Sequence, residues 1–126
     1  MEYESNLILR HLVFDTIEFK RTGFKSESEV KYNLEIHISR EHAKERYKVT
    51  LDLNGEKEKE YNFRIALIGY FEIKNAKEII DKESLIYQNA VAIMMPYLRS
   101  EVTLLTAQPE TDSVVMPVLN VSKMIK

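Results

Sequence analysis

From Val30 to Ile38 the chain alternates without a break. Val30, Tyr32, Leu34, Ile36 and Ile38 share one parity, and Lys31, Asn33, Glu35, His37 and Ser39 share the other. Successive side chains of a strand point to opposite faces, so this segment reads as a strand with one face on a core and one in water. That pattern belongs to antiparallel sheets. Tyr47, Val49, Leu51 and Leu53 alternate in the same way with Lys48, Thr50, Asp52 and Asn54. Asn54-Gly55 is a turn signal, and the charged run Glu56 to Glu60 then reads as the solvated end of a hairpin. Tyr61 to Ile73 is a further strand, with Tyr61, Phe63, Ile65, Leu67, Phe71 and Ile73 on one parity. Its other face carries Ala66, Ile68 and Tyr70, so it is apolar on both sides and predicts cover on both. Gly69 within it predicts a bulge or a close backbone approach. Leu7 to Lys20 reads as the first strand, best patterned over Leu12 to Phe19 and ended by Arg21-Thr22-Gly23.

After Ile73 the period changes. Asn75 to Asp81 suits a short helix. Glu83 to Ala107 suits a long one, on the recurrence of Leu85, Asn89, Ala92, Ile93, Tyr97, Ser100 and Leu104 at three and four. Pro96 lies inside it and predicts a kink, because proline removes a helical hydrogen bond. Gln108 to Ser113 reads as a polar loop. Val114 to Leu119 is apolar but interrupted by Pro117, which excludes a central strand. Asn120 suits the cap of a last short helix, Val121 to Lys126. The sum is four strands, with the antiparallel pattern, then a long helix and a short C-terminal helix: an α+β domain. At 126 residues the chain, residues 1–126, makes one domain.

Charge and composition exclude several functions. The net charge is -2 with both signs interspersed, which offers no field for nucleic acid or a membrane surface. No Cys is present, which removes disulfides, thiolate zinc sites and a cysteine nucleophile. Met1-Glu2-Tyr3-Glu4-Ser5 lacks the basic start of a signal peptide, and no apolar run reaches the roughly 20 residues that span a bilayer. A soluble cytoplasmic protein is the expectation. His11, His37 and His42 have no metal-site spacing. Ser84, Ser100 and Ser113 lack a nucleophile-elbow setting, and three scattered glycines make no phosphate loop. Met94-Met95 reads as core filler. The expectation is a protein with no catalytic residue, no cofactor and no metal.

Two features exceed a bland globular domain. One is the doubly apolar strand ending at Ile73. The other is the apolar, irregular segment Val114 to Leu119. Contiguous apolar surface on a protein of this size marks an interface or a groove. An oligomer interface through Phe63, Ile65 and Leu67 is one expectation, and a groove for apolar peptide segments is the other. A small-ligand pocket between sheet and helix is a third reading, which would need convergent polar groups.

Three motifs carry a resemblance. Pro96-Tyr97-Leu98-Arg99, within Asn89 to Val102, resembles the Pro-Tyr-x-Arg run of the central helix of the SecB chaperones. Gly69-Tyr70-Phe71-Glu72-Ile73 is similar to that family's Gly-x-Phe-x-Ile ending of the fourth strand. Pro117-Val118-Leu119-Asn120 is similar to its Pro-x-x-Asn segment before the last helix. Order and spacing agree over about residues 7 to 126. The resemblance implies an ATP-independent chaperone, a dimer of dimers, that binds unfolded or precursor polypeptides for export. It implies a groove lined by Tyr61, Val114, Val115, Met116, Val118 and Leu119, where burial is non-directional and tolerates many clients. Family members are typically strongly acidic, whereas this chain is nearly neutral. SecA is one implied partner. The antitoxin of a toxin–antitoxin pair, served by some SecB-like proteins, is the alternative.

Overall fold

A computed structural model describes residues 6–41, 45–74 and 82–117. Four strands come first: β1 (Leu7–Arg21), β2 (Val30–Glu41), β3 (Arg46–Lys57) and β4 (Tyr61–Ile73). A helical segment follows, made of α1 (Lys82–Leu85), a π-helical turn (Ile86–Ala90) and α2 (Val91–Thr106). All neighbouring strands are antiparallel, in the order β1-β4-β3-β2. The expected α+β class and the four-stranded sheet are what the chain forms. The helices expected at Asn75 to Asp81 and Val121 to Lys126 lie outside the described residues.

The alternation read from the sequence sets the faces. Leu34, Ile36 and Ile38 of β2 pair with Leu53, Leu51 and Val49 of β3, which pair in turn with Ile65, Leu67 and Gly69 of β4. These residues share the face that looks to the helix. Ile86, Ala90, Met94, Leu98, Val102 and Thr106, every fourth residue, are buried from the helix side. The recurrence read from the sequence lies one position off this buried row: Asn89, Ala92, Tyr97, Ser100 and Leu104 are exposed. Met94 is core, as expected.

Pro96 does not break α2, which runs through it for 16 residues. Pro96 and Ala92 both face solvent. The carbonyl that loses its partner, four residues before the proline, therefore opens to water and costs little. The irregularity falls upstream, in the π-helical turn.

Asn54-Gly55 is not the hairpin turn. β3 continues to Lys57, and the reversal is at residues 58–60, with Lys59 in the left-handed region at φ 67°. Gly55 is a spacer instead: a Cβ there would sit 2.1 Å from Cζ of Phe63, whose ring crosses it. Gly69 meets the expectation of a close approach, since a Cβ would come within 2.9 Å of Met94 Sδ on the helix. The bulges are in β1, at Arg10 and Asp15.

Because β1 and β2 are opposite edges of the sheet, the chain between them must cross its end, past the β3–β4 turn. Glu60 fastens that crossing. Its carbonyl accepts from Thr22 N–H (2.9 Å) and Gly23 N–H (3.1 Å), and its Oε1 accepts from Ser26 N–H (2.8 Å) and Lys57 Nζ (3.0 Å). The end of the hairpin is therefore not wholly solvated: Glu60 is fully buried. Burial alone would raise its carboxyl pKa, but the Ser26 N–H, Lys57 and Arg21 outweigh it and hold the group below its ordinary value. Next to it, burial, the Glu60 carboxylate and Tyr32 push the Tyr61 phenol up to about 12.

Candidate polypeptide-binding surface

Residues 107–117 leave α2 and run back across it as an irregular strap. Two threonines of the last helical turns fix it. Thr106 Oγ1 accepts from Val114 N–H at 2.9 Å, and Thr103 Oγ1 donates to Val114 C=O at 2.9 Å. Thr106 keeps its own proton on Val102 C=O, 2.9 Å away. At the far end, Arg21 bonds Thr111 Oγ1 and Gly23 C=O, and Lys25 meets Asp112 at 3.5 Å. With Val114 clamped on both backbone groups, its neighbours point opposite ways. Met116 is fully buried in the core, and Val115 is 75% exposed.

Val115 lies over the outer side of α2, where Leu104 is 67% and Tyr97 50% exposed. Between strap and helix is an open cleft of about 600 Å3, lined by Pro96, Arg99, Ser100, Thr103, Leu104 and Val115. Large apolar side chains this exposed on one side of a small domain suit contact with another chain.

The two sheet edges differ. β1 carries two bulges, a common device against unwanted strand pairing. β2 pairs with β3 over its whole length with no register shift. Its other edge has no strand neighbour among the described residues. The core-side residues Val30, Tyr32, Ile36 and Ile38 are only half-buried. No proline or glycine blunts this edge, and the one charge on its core-side parity is Arg40 near the strand's end, over the Tyr47 ring.

The residues singled out from the sequence divide. Val115 is at the surface, and Val114 is half-buried at the clamp. Tyr61 and Met116 are interior and line no open groove in the single chain. Val118 and Leu119 lie outside the described residues. Phe63, Ile65 and Leu67 sit on the helix-covered face and are buried within one chain, so they present no free interface. The opposite parity of β4 faces away from the helix: Ala66 and Ile68 are buried there, while Tyr70, paired with His11, is exposed, as is Val13, paired with Ile68. Pro96, Arg99, Tyr97 and Leu104 were absent from the expected surface residues. The sequence signal for them is the polar Asn89 and Ser100 on the same helix stripe, which mark it as outward.

Among the described residues no group of three or more His, Cys, Asp or Glu gathers to hold a metal. His37 stands on the polar face beside Glu35, and His11 edges Tyr70. His42 lies outside the described residues. The outer sheet face carries two open troughs, of about 640 and 730 Å3, lined chiefly by charged and amide side chains. Among the described residues no helix is long and apolar enough to cross a membrane.

The fold has counterparts among solved structures. The chain is similar in structure to a SecB-like chaperone of Mycobacterium tuberculosis solved in complex with a ChAD peptide from the HigA1 antitoxin. The TM-score is 0.74 at 11% identity, over 91% of this chain and 88% of that one. The α+β fold is thus that of a SecB-like chaperone. A protein of unknown function from Streptococcus agalactiae matches at TM-score 0.50 and 10% identity, over 89% of this chain and 97% of that chain. In sequence, an uncharacterized protein of Methanocaldococcus jannaschii is 27% identical over 126 residues, 96% of this chain and 80% of the relative. No family model matches the chain.

Proposed function

We propose that this protein is an ATP-independent chaperone that holds non-native polypeptide, with an antitoxin ahead of export precursors as its client. The observation that carries the reading is the fold agreement, at TM-score 0.74, with a SecB-like chaperone bound to an antitoxin peptide. Two features of this chain support it. The α2–strap cleft offers apolar contact, and burial of this kind accepts many sequences. The bare β2 edge offers backbone groups to an extended segment, a common mode of peptide capture. The sequence has no phosphate loop, so release comes from mass action, client folding or handover rather than an ATP cycle. Assembly into a homo-oligomer, residence in the cytoplasm and the lack of an enzymatic activity belong to the same reading.

A heat-aggregating antitoxin of the HigA class is the direct probe. Its light scattering on warming should fall with added protein and no nucleotide. Unchanged scattering at a several-fold excess of this protein, with an export precursor protected instead, would move the function to export. Protection of neither would remove the chaperone reading.

A further inference from the structure

The α2–strap cleft is apolar on its walls, with Pro96, Leu104 and Val115, and neutral at Ser100 and Thr103. Thr103 Oγ1 is already committed to the strap backbone. Among the described residues Arg99 is the only charged one that lines the cleft. It is partly buried, and its Nε is shut off from solvent with no hydrogen-bond partner among the described residues. Other arginines show the contrast. Arg10 meets Glu72 at 2.9 Å, Arg64 meets Asp52 at 2.9 Å and Arg40 meets Glu45 at 3.0 Å, each within this chain. Arg99 has no such carboxylate among the described residues.

A guanidinium is a planar fork of donors that matches a carboxylate, and the pair is strongest where water is partly excluded. A cation held against apolar walls without a counter-charge is costly, and an incoming carboxylate removes that cost. An incoming amide removes little of it, and an incoming ammonium adds repulsion. Along an extended segment the side chains on one side are two residues apart, about 7 Å. An apolar residue seated on Leu104 and Val115 therefore directs toward the same wall the side chain two positions away.

We infer that this cleft selects internal client segments in which an Asp or Glu stands two residues from a large apolar residue, with Arg99 receiving the carboxylate. The inference rests on the polypeptide-binding reading. It adds a preference by charge to a surface that burial alone would leave indifferent.

The test is fluorescence anisotropy with three peptides of one sequence carrying Leu-x-Glu, Leu-x-Gln or Leu-x-Lys, each with free and amidated C-termini. The wild type should bind the Glu peptide about tenfold tighter than the Gln peptide, and added salt should narrow the gap. Arg99→Gln, checked for folding by circular dichroism, should level the series, and Arg99→Glu should turn it toward Lys. Amidation should change nothing. Equal binding of the Glu and Gln peptides by the wild type overturns the inference without relying on any variant. So does loss of binding on amidation alone, which would make the chain terminus the ligand. If the protein holds an unfolded client yet shows no preference, this inference alone falls; if it holds no unfolded polypeptide, the reading beneath it falls too.

Discussion

Two irregular regions of this molecule invert what their hydropathy suggests. The β3–β4 turn is the most charged stretch of the chain, yet it buries the carboxylate of Glu60 completely. The end of the strap, Val114 to Met116, is apolar, yet it leaves Val115 three-quarters exposed beside an exposed Leu104. The difference is in where backbone partners come from. The turn lies under a chain crossing that brings Thr22, Gly23 and Ser26 to one residue, so a carboxylate at that point has donors waiting. The strap is held by polar clamps at Val114 and Thr111 and by Met116 in the core, and these fix its path without covering Val115. A closed region here is one whose polar groups converge. An open region is one whose polar groups are satisfied in passing.

The sharpest way to break that contrast is within the strap. Met116→Asp places an unpaired charge in the core and should cost about 4 kcal/mol or unfold the protein outright. Val115→Asp, one residue away, should leave stability within about 0.5 kcal/mol while weakening polypeptide binding. Urea unfolding of both variants checks the pair. Equal losses would mean that the strap lies differently from the path described.

At the closed end the effect is smaller and depends on pH. Glu60 has a folded-state pKa below its unfolded one, so its contribution is complete above the ordinary carboxylate range of about 4.3 and is lost as pH falls through the folded value. Glu60→Gln should therefore lower the melting temperature at pH 7 and reduce the further drop on acidification. Thermal melts between pH 7 and pH 3 measure both. A parallel loss in wild type and variant across that range would remove Glu60 from the account. A modest effect of the opposite sign belongs to Pro96. Pro96→Ala restores a donor to a solvent-facing turn of α2 and should raise stability by about 1 kcal/mol, within the span of helix propensities.

The sheet was legible because alternation has one physical reading: β2, β3 and β4 put the expected parity on the core. Asn54-Gly55 misled because a glycine also serves where a ring must cross the backbone, and Phe63 stands opposite it only once β3 and β4 pair. The helix was legible as a helix but not in phase. From Ser84 to Leu98 it holds no charged residue, so hydropathy gives no contrast between its sides. Asn89 and Ser100 were the available clues to its outward face. Glu60 was beyond a linear reading, since its partners arrive from a crossing that only the strand order creates. Val114 to Leu119 was read as one apolar stretch. The clamp at Val114, which turns Met116 in and Val115 out, depends on Thr103 and Thr106 from another element.

The central claim is that the open region binds chains that have not folded. The direct measurement is a titration of this protein, without nucleotide, into a fluorescently labelled slow-folding protein, once reduced and unfolded and once native, followed by anisotropy. The account predicts saturable binding of the unfolded form, none of the native form, and a clear loss with Val115→Asp. Equal binding of both forms, or of neither, would contradict it.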